Sequence, residues 1–379
     1  MSALETARVR LVHWLVADAY PIWSRNGVDP RNGGFVEALD SKGAALTQPR
    51  RARVHPRQAY AFAQARGFGW CGDAAGLVGR GMDYFTRCYR RSDGLFRTLA
   101  DADGAVLDDR ALLYDQAFAL LGYAAAAAAL DARGEFEERA LELRHAIEMH
   151  LSAEDGAFYS DEQRSGHRES NPHMHLLEAY LAWAETGRDS GWAAGAKGLA
   201  ELALSRLIGR DSGAIGESYL ATWHAAPGMA GRRIEPGHQF EWAWLLLRCE
   251  RRHPSPTLRG AALRLIGLGE RFGVHHGGVI NALFDDFTIQ DARARLWPQC
   301  ERLKAALLAL AVAGEPQYRS IAEAAAQSLF PYLNTTLPGL WFDVRLPNGE
   351  FADSPSPASS FYHLVGAIAA LDDALELSS

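Results

Sequence analysis

The chain has 379 residues, 48% of them hydrophobic, with 39 basic and 46 acidic residues and a formal net charge of -7. That is enough apolar material for a large core, and the evenly mixed, mildly acidic surface argues against nucleic acid or an anionic membrane as a partner. Cys71, Cys88, Cys249 and Cys300 are scattered without a CxxC pair, and Glu5, Arg8 and Arg10 interrupt any apolar leader. Free thiols and a cytoplasmic protein are therefore expected. No run approaches the roughly 20 apolar residues that span a bilayer.

From the N-terminus, a first helix is expected to begin near Ala3, followed by a glycine cluster, Gly33-Gly34-Phe35. Similar clusters return at Asp93-Gly94-Leu95-Phe96, Asp155-Gly156-Ala157-Phe158, Ser212-Gly213-Ala214-Ile215, Gly277-Gly278-Val279-Ile280 and Gly339-Leu340-Trp341-Phe342. A spacing of about 60 residues marks a repeated supersecondary unit. Each cluster opens a stretch that could pair as a hairpin, as from Gly339 to Phe351 around Pro347-Asn348-Gly349.

Between clusters the apolar residues follow i, i+3, i+4 spacing, as in Leu112 to Leu130, Gly134 to Leu151 and Trp297 to Ala313. Polar joints such as Thr186-Gly187-Arg188-Asp189 split each repeat into two helices, and the last helix is expected to end near Leu375. Six helical hairpins predict an all-α fold, an (α/α)6 barrel with even-numbered helices inside and short β-hairpin loops at one face. An open solenoid is the alternative. No linker composition divides residues 1–379, so one domain is expected, as a monomer or homodimer.

Polar residues gather where each even-numbered helix begins. The second helix carries Arg57 and Tyr60, and the fourth starts at Tyr114-Asp115-Gln116. The sixth starts at Asn171-Pro172-His173-Met174-His175, with Glu178 a turn later, and the eighth at Glu235-Pro236-Gly237-His238, with Glu241 and Trp242 following. The tenth opens with Trp297-Pro298-Gln299 and Glu301, the twelfth with Ser359-Ser360-Phe361-Tyr362-His363. Parallel inner helices would bring all six groups to one mouth, where free N–H groups suit an oxyanion. His175 and Glu178, like His238 and Glu241, are three apart and share a helix face, so each carboxylate could fix an imidazole tautomer or bind a sugar hydroxyl. Trp223, Trp242, Trp297 and Phe361 could stack on a pyranose, although Trp242 and Trp244 stand at apolar helix positions that favour a core role. Asn171, His173 and His175 could instead bind a metal, but on a helix i and i+2 diverge, and no metal is expected.

The segments Asn171 to Ala179, Glu235 to Trp242, Trp297 to Gln299 and Ser360 to His363 resemble motifs of the N-acylglucosamine 2-epimerase superfamily of sugar epimerases and aldose–ketose isomerases. The resemblance spans about Arg57 to His363. It implies an (α/α)6 barrel, a monosaccharide substrate, reversible chemistry at C1 and C2, and no cofactor. It makes His363 the general base for the C2 proton and His238 the second acid/base. Arg57, Asn171, His175, Glu241 and Trp297 match substrate-holding positions, Tyr114 does so on one short segment, and Glu178 is grouped with them. The ending Pro357 to Leu364 looks closest to the mannose isomerase branch, making D-mannose to D-fructose the leading reaction and a sugar 2-epimerase the next. A glycosidase using two of Asp115, Glu178, Glu241 and Glu301 is the alternative from another class.

Overall fold

A computed structural model describes residues 2–164 and 166–376. The first hairpin pairs α1 (Ala3–Trp14, continued by a π-helical turn, Leu15–Ala19, and Tyr20–Asn26) with α2 (Val54–Gln64). Then follow α3 (Ala74–Tyr89) with α4 (Leu113–Ala129), and α5 (Arg133–Leu151) with α6 (Ser170–Thr186). The second half repeats the pattern with α7 (Gly191–Leu202, extended by Ala203–Leu207), α8 (Pro236–Arg252), α9 (Pro256–Leu268, extended by Gly269–Gly273) and α10 (Leu296–Ala313). The last pair is α11 (Pro316–Leu333) and α12 (Ala358–Glu376). Each even-numbered helix packs on the next, and α12 packs back on α2. The ring is closed, an (α/α)6 barrel and not an open stack. Among the described residues, no helix is long and apolar enough to cross a membrane.

Backbone pairing closes the same ring at one mouth. The segment entering each inner helix pairs with the loop beyond the next glycine cluster: Arg50–Arg51 with Leu99–Ala100, Leu112 with Asp161, and His167–Glu169 with Ser218–Leu220. In the same way Arg233–Ile234 meets Leu283 and Phe284, and Ala294–Arg295 meets Val344–Arg345. Finally Ser356–Pro357 returns to Ala38–Leu39. The expected hairpins form beside these pairings between repeats: Leu39 bridges Ala45, Leu99–Ala100 pairs with Val106–Asp108, Tyr219 bridges Ala225, Ala282–Leu283 pairs with Ile289–Asp291, and Arg345 bridges Phe351.

The glycine clusters are recurrent for a backbone reason. Gly33, Gly94, Gly156, Gly213, Gly277 and Gly339 all have φ between 71° and 90°, a left-handed turn that a Cβ disfavours. Two residues on, the backbone N–H is accepted by a polar side chain near the start of the inner helix. Phe35 donates to His55 Nδ1 (3.2 Å), Phe96 to Gln116 Oε1 (2.8 Å) and Phe158 to His173 Nε2 (3.2 Å). Ile215 donates to Gln239 Oε1 (2.8 Å), Val279 to Gln299 Oε1 (2.8 Å) and Trp341 to Ser356 Oγ (3.0 Å). Gln239 also donates Nε2–H to the Ile215 carbonyl at 2.8 Å. Replacing Gln239 with leucine strands two buried backbone groups, so a loss of about 2–4 kcal/mol in urea unfolding is expected. A loss of only a few tenths would show that this staple is dispensable.

The closing seam is aromatic. Trp341 stacks on Trp23 of α1 (centroids 4.8 Å, 14°) and on Phe361 of α12 (5.5 Å, 17°). These buried rings tie the first and last hairpins together by apolar burial.

Candidate active site

The mouth formed by the inner-helix N-termini encloses a cavity of about 230 Å³. Each inner helix contributes to its lining: Arg57 from α2, Tyr114 from α4, Asn171 and His175 from α6, His238 and Glu241 from α8, Trp297 from α10, and Ser359, Ser360 and His363 from α12. Arg51, Arg53, Glu235 and Arg295, on the segments leading into the helices, complete it. Tyr114, Asn171 and His238 also face an outer vestibule of about 420 Å³. The Trp297 ring lies between two imidazoles, 5.0 Å from the His238 centroid and 5.5 Å from that of His363, at 35° to each.

Each cavity imidazole is held by a carboxylate on Nδ1. His363 bonds Glu301 Oε1 at 2.7 Å, His238 bonds Glu217 Oε2 at 2.8 Å, and His175 bonds Glu178 Oε2 at 3.0 Å. A carboxylate partner there fixes the tautomer and leaves Nε2 for other work. Arg57 donates to the Tyr114 hydroxyl at 2.6 Å and lies 4.0 Å from the Phe118 ring centroid. Three buried atoms of cavity-lining residues, Arg57 Nε, Asn171 Oδ1 and Glu241 Oε1, have no hydrogen-bond partner among the described residues. Buried polar atoms are rarely left so, and three on residues around one cavity suit a polyhydroxylated ligand.

The electrostatics separate the imidazoles. Burial works against a charged His238, but Glu217 and Glu235 overcome it and push the group up to about 9, so it carries a proton at neutral pH. Burial, with Arg57 and Lys304 nearby, pushes His363 well below the ordinary histidine range, leaving it neutral. Burial likewise holds His175 at about 4. Burial and the neighbouring Glu301 push the Glu241 carboxyl well up, favouring a protonated acid that can donate to a hydroxyl.

Residues 33–367 match the N-acylglucosamine 2-epimerase (GlcNAc 2-epimerase) family. A relative from Rhizobium meliloti (strain 1021), named mannose-6-phosphate isomerase, is 42% identical over 374 residues, covering 97% of each chain. The chain belongs to the N-acylglucosamine 2-epimerase family. It is thus a sugar isomerase or epimerase. A D-mannose isomerase from Marinomonas mediterranea is 26% identical over 363 residues, covering 90% of this chain and 91% of its own. A solved D-mannose isomerase structure superposes with a TM-score of 0.86 over 98% of this chain and 97% of its own, at 22% identity, and so shares the fold.

Within this member of the epimerase family, the barrel gathers all but one of the expected site residues around the cavity. The exception is Glu178, which does not line it. Its oxygens accept from His175 and from the Tyr362 hydroxyl behind the cavity wall, so it orients an imidazole. The expected pairing of His238 with Glu241 is replaced by His238 with Glu217, which comes from the neighbouring loop. Of the four aromatic rings considered for stacking on sugar, Trp297 is the one that lines the cavity. Trp242 and Phe361 are fully buried, and Trp223 packs on His173 and under Arg168. The Asn171–His173–His175 set does not assemble, because His173 donates Nδ1–H to the Glu169 carbonyl at 2.7 Å and accepts from Phe158.

Among the described residues, His175–Glu178–Glu241 and Glu241–Glu301–His363 each bring ligand-type atoms within 4.8 Å of one another. A positive charge is already built in there: the Lys304 ammonium lies 2.8 Å from Glu301 Oε2 and also attracts Glu178 and Glu241.

The sequence did hold a signal for Glu217. It stands four residues after Gly213, and the matching positions in the other repeats are Glu37, Thr98, Ser160, Asn281 and Asp343, every one polar. Asp343 accepts from Ser360 Oγ (2.8 Å), and Glu37 from Arg51 (2.5 Å), so the position repeatedly braces the mouth.

Proposed function

We propose that the chain is an aldose–ketose isomerase acting on a sugar of mannose configuration, D-mannose to D-fructose in its simplest form, through a cis-enediolate and without a metal step. Residues 1–379 would act as one catalytic domain. The protonation split across Trp297 supports this most directly: His238 is held charged while His363 is held neutral. A C2–H beside an aldehyde needs a neutral base on carbon and an acid on oxygen. His238 protonates the ring oxygen on opening and moves a proton between O1 and O2. His363 Nε2 takes the C2 proton and returns it to C1 on the same face. Arg57, Asn171 and Glu241, which line the cavity, hold hydroxyls, with Tyr114 bracing Arg57 and His175 beside them. Trp297 backs the apolar face of the sugar.

A second reading, the 6-phosphate of the same sugar, is favoured by the name of the Rhizobium meliloti relative and by Arg51, Arg53 and Arg295 at the mouth. One experiment tests both. Incubation with D-mannose, and separately with D-mannose 6-phosphate, in deuterium oxide is expected to give a ketose carrying deuterium at C1 by NMR, undiminished by excess chelator. Deuterium at C2 of an aldose, with no ketose, would replace the isomerase by a 2-epimerase. No exchange with either sugar would remove the reading.

A further inference from the structure

Lys304 lies one turn along α10 from Glu301, and both are sealed from solvent, at 2% and 0% exposure. Its ammonium meets Glu301 Oε2 at 2.8 Å and sits 3.6 Å over the Trp244 ring centroid, with the Tyr362 ring of α12 at 5.9 Å. The other oxygen of Glu301 is the 2.7 Å partner of His363 Nδ1. Lys304 does not line the cavity. A buried charge is costly unless paired, and this one faces Glu178 of α6 and Glu241 of α8 as well as Glu301. One cation thus serves three buried carboxyl groups directly behind the imidazoles.

We propose that Lys304 is a positioning residue: its ammonium keeps Glu301 a carboxylate that accepts Nδ1–H from His363, which leaves the Nε2 lone pair free to take the substrate proton. This rests on the reading of His363 as the base. The physics concerns the ownership of one proton. While Glu301 is ionised, the hydrogen on that contact belongs to Nδ1, and a neutral imidazole then has a bare Nε2. A protonated Glu301 would donate to Nδ1 instead, and the ring hydrogen would move to Nε2, the atom that must accept. Burial already pushes the Glu301 carboxyl up, and Lys304 is the strongest influence opposing it. Without the ammonium, the balance tips toward the protonated acid and the silent tautomer.

Histidine ¹⁵N NMR of the sugar-free enzyme at neutral pH reads the tautomer directly. The wild type is expected to show His363 with hydrogen on Nδ1, and Lys304→Arg, which keeps the charge, to retain it. Lys304→Met is expected to move the hydrogen to Nε2 and to lower kcat roughly 10–100-fold, with KM unchanged because the side chain lies outside the cavity. Lys304→Met combined with Glu301→Gln should be no slower than Glu301→Gln alone, since the lysine acts through the carboxylate. The proposal is overturned by an Nε2–H tautomer in the wild type, by a Lys304→Met enzyme with wild-type tautomer and kcat, or by losses that multiply in the double variant. If Lys304→Met does not fold, the wild-type and Lys304→Arg tautomers still decide. The NMR needs no sugar, so its failure is distinct from a wild type that exchanges deuterium with no aldose, which sinks the isomerase reading alone.

Discussion

Asparagine at position 363 is expected to lower kcat roughly 10³–10⁴-fold and to stop deuterium entering the sugar from solvent, while KM changes little. The size follows from the chemistry. A carbon acid beside an aldehyde gives up its proton only to a base held within hydrogen-bonding reach, and among the cavity imidazoles only His363 and His175 are held neutral. Of these, His363 is the one whose ring lies beside Trp297, across from the charged His238. Asparagine is the informative replacement because its amide can still donate toward Glu301, preserving the buried hydrogen bond behind the ring. Steady-state kinetics and exchange NMR would be read on a variant whose thermal midpoint matches the wild type. Continued exchange at wild-type rate would take the base role from His363.

The parts of this design that were legible in the sequence are those imposed by local physics. A left-handed turn demands glycine, so Gly33, Gly94, Gly156, Gly213, Gly277 and Gly339 announce the repeat whatever else varies. The inner-helix starts were legible because polar residues are conspicuous in otherwise apolar segments: His238 and His363 stand out, and the closed ring brings them to one mouth. Aromatic roles were legible only in part. Inner helices of a closed barrel are buried on every side, as α4 is from Asp115 to Ala127, so apolar periodicity no longer distinguishes a cavity face from a packing face. Trp242 reads as core from its apolar helix position and is buried, but Phe361 reads like Trp297 and is core as well. Partners distant in sequence were hidden for another reason. Tyr362 reaches Glu178 across 184 residues and His363 reaches Glu301 across 62, and no spacing rule links positions brought together only by closure of the ring.

The same closure explains why the histidines differ. Both lie near the N-terminal ends of parallel helices, His238 in the first turn of α8 and His363 in the second turn of α12, so helix position alone does not set them far apart. What differs is where the carboxylate comes from. The loop joining α7 to α8 within the same hairpin brings Glu217, whereas behind α12 the carboxylate comes from the neighbouring α10 and arrives already paired with Lys304. One histidine therefore meets unneutralised negative charge and the other meets a carboxylate whose charge is shared. Environments that push two like groups apart are a common way to make one acid and one base.

That difference yields the second large expectation, at His238. Asparagine at 238 should cost roughly 10²–10³-fold in kcat by removing the proton donor to oxygen, and Glu217→Gln should show how the donor is maintained. His238 acts in its protonated form, so its contribution is full below its pKa and is lost as pH rises through it. In the wild type the alkaline limb of kcat/KM is expected near 9. Glu217→Gln removes the strongest attraction holding the proton and leaves the burial that opposes it, so the limb should move down toward neutrality. Each unit that the pKa falls below the assay pH costs about tenfold in protonated enzyme, so at pH 8 the variant should lose roughly 10–30-fold and recover most of it at pH 6. Glu235, pinned by Arg233 at 2.9 Å and Arg295 at 3.0 Å, remains and prevents a complete collapse. The acid limb belongs to His363, whose pKa is depressed, so it should stay where it is in this variant. An alkaline limb that does not move in Glu217→Gln would mean that the acid is some other group, and the pairing of one charged and one neutral imidazole around Trp297 would lose its chemical meaning.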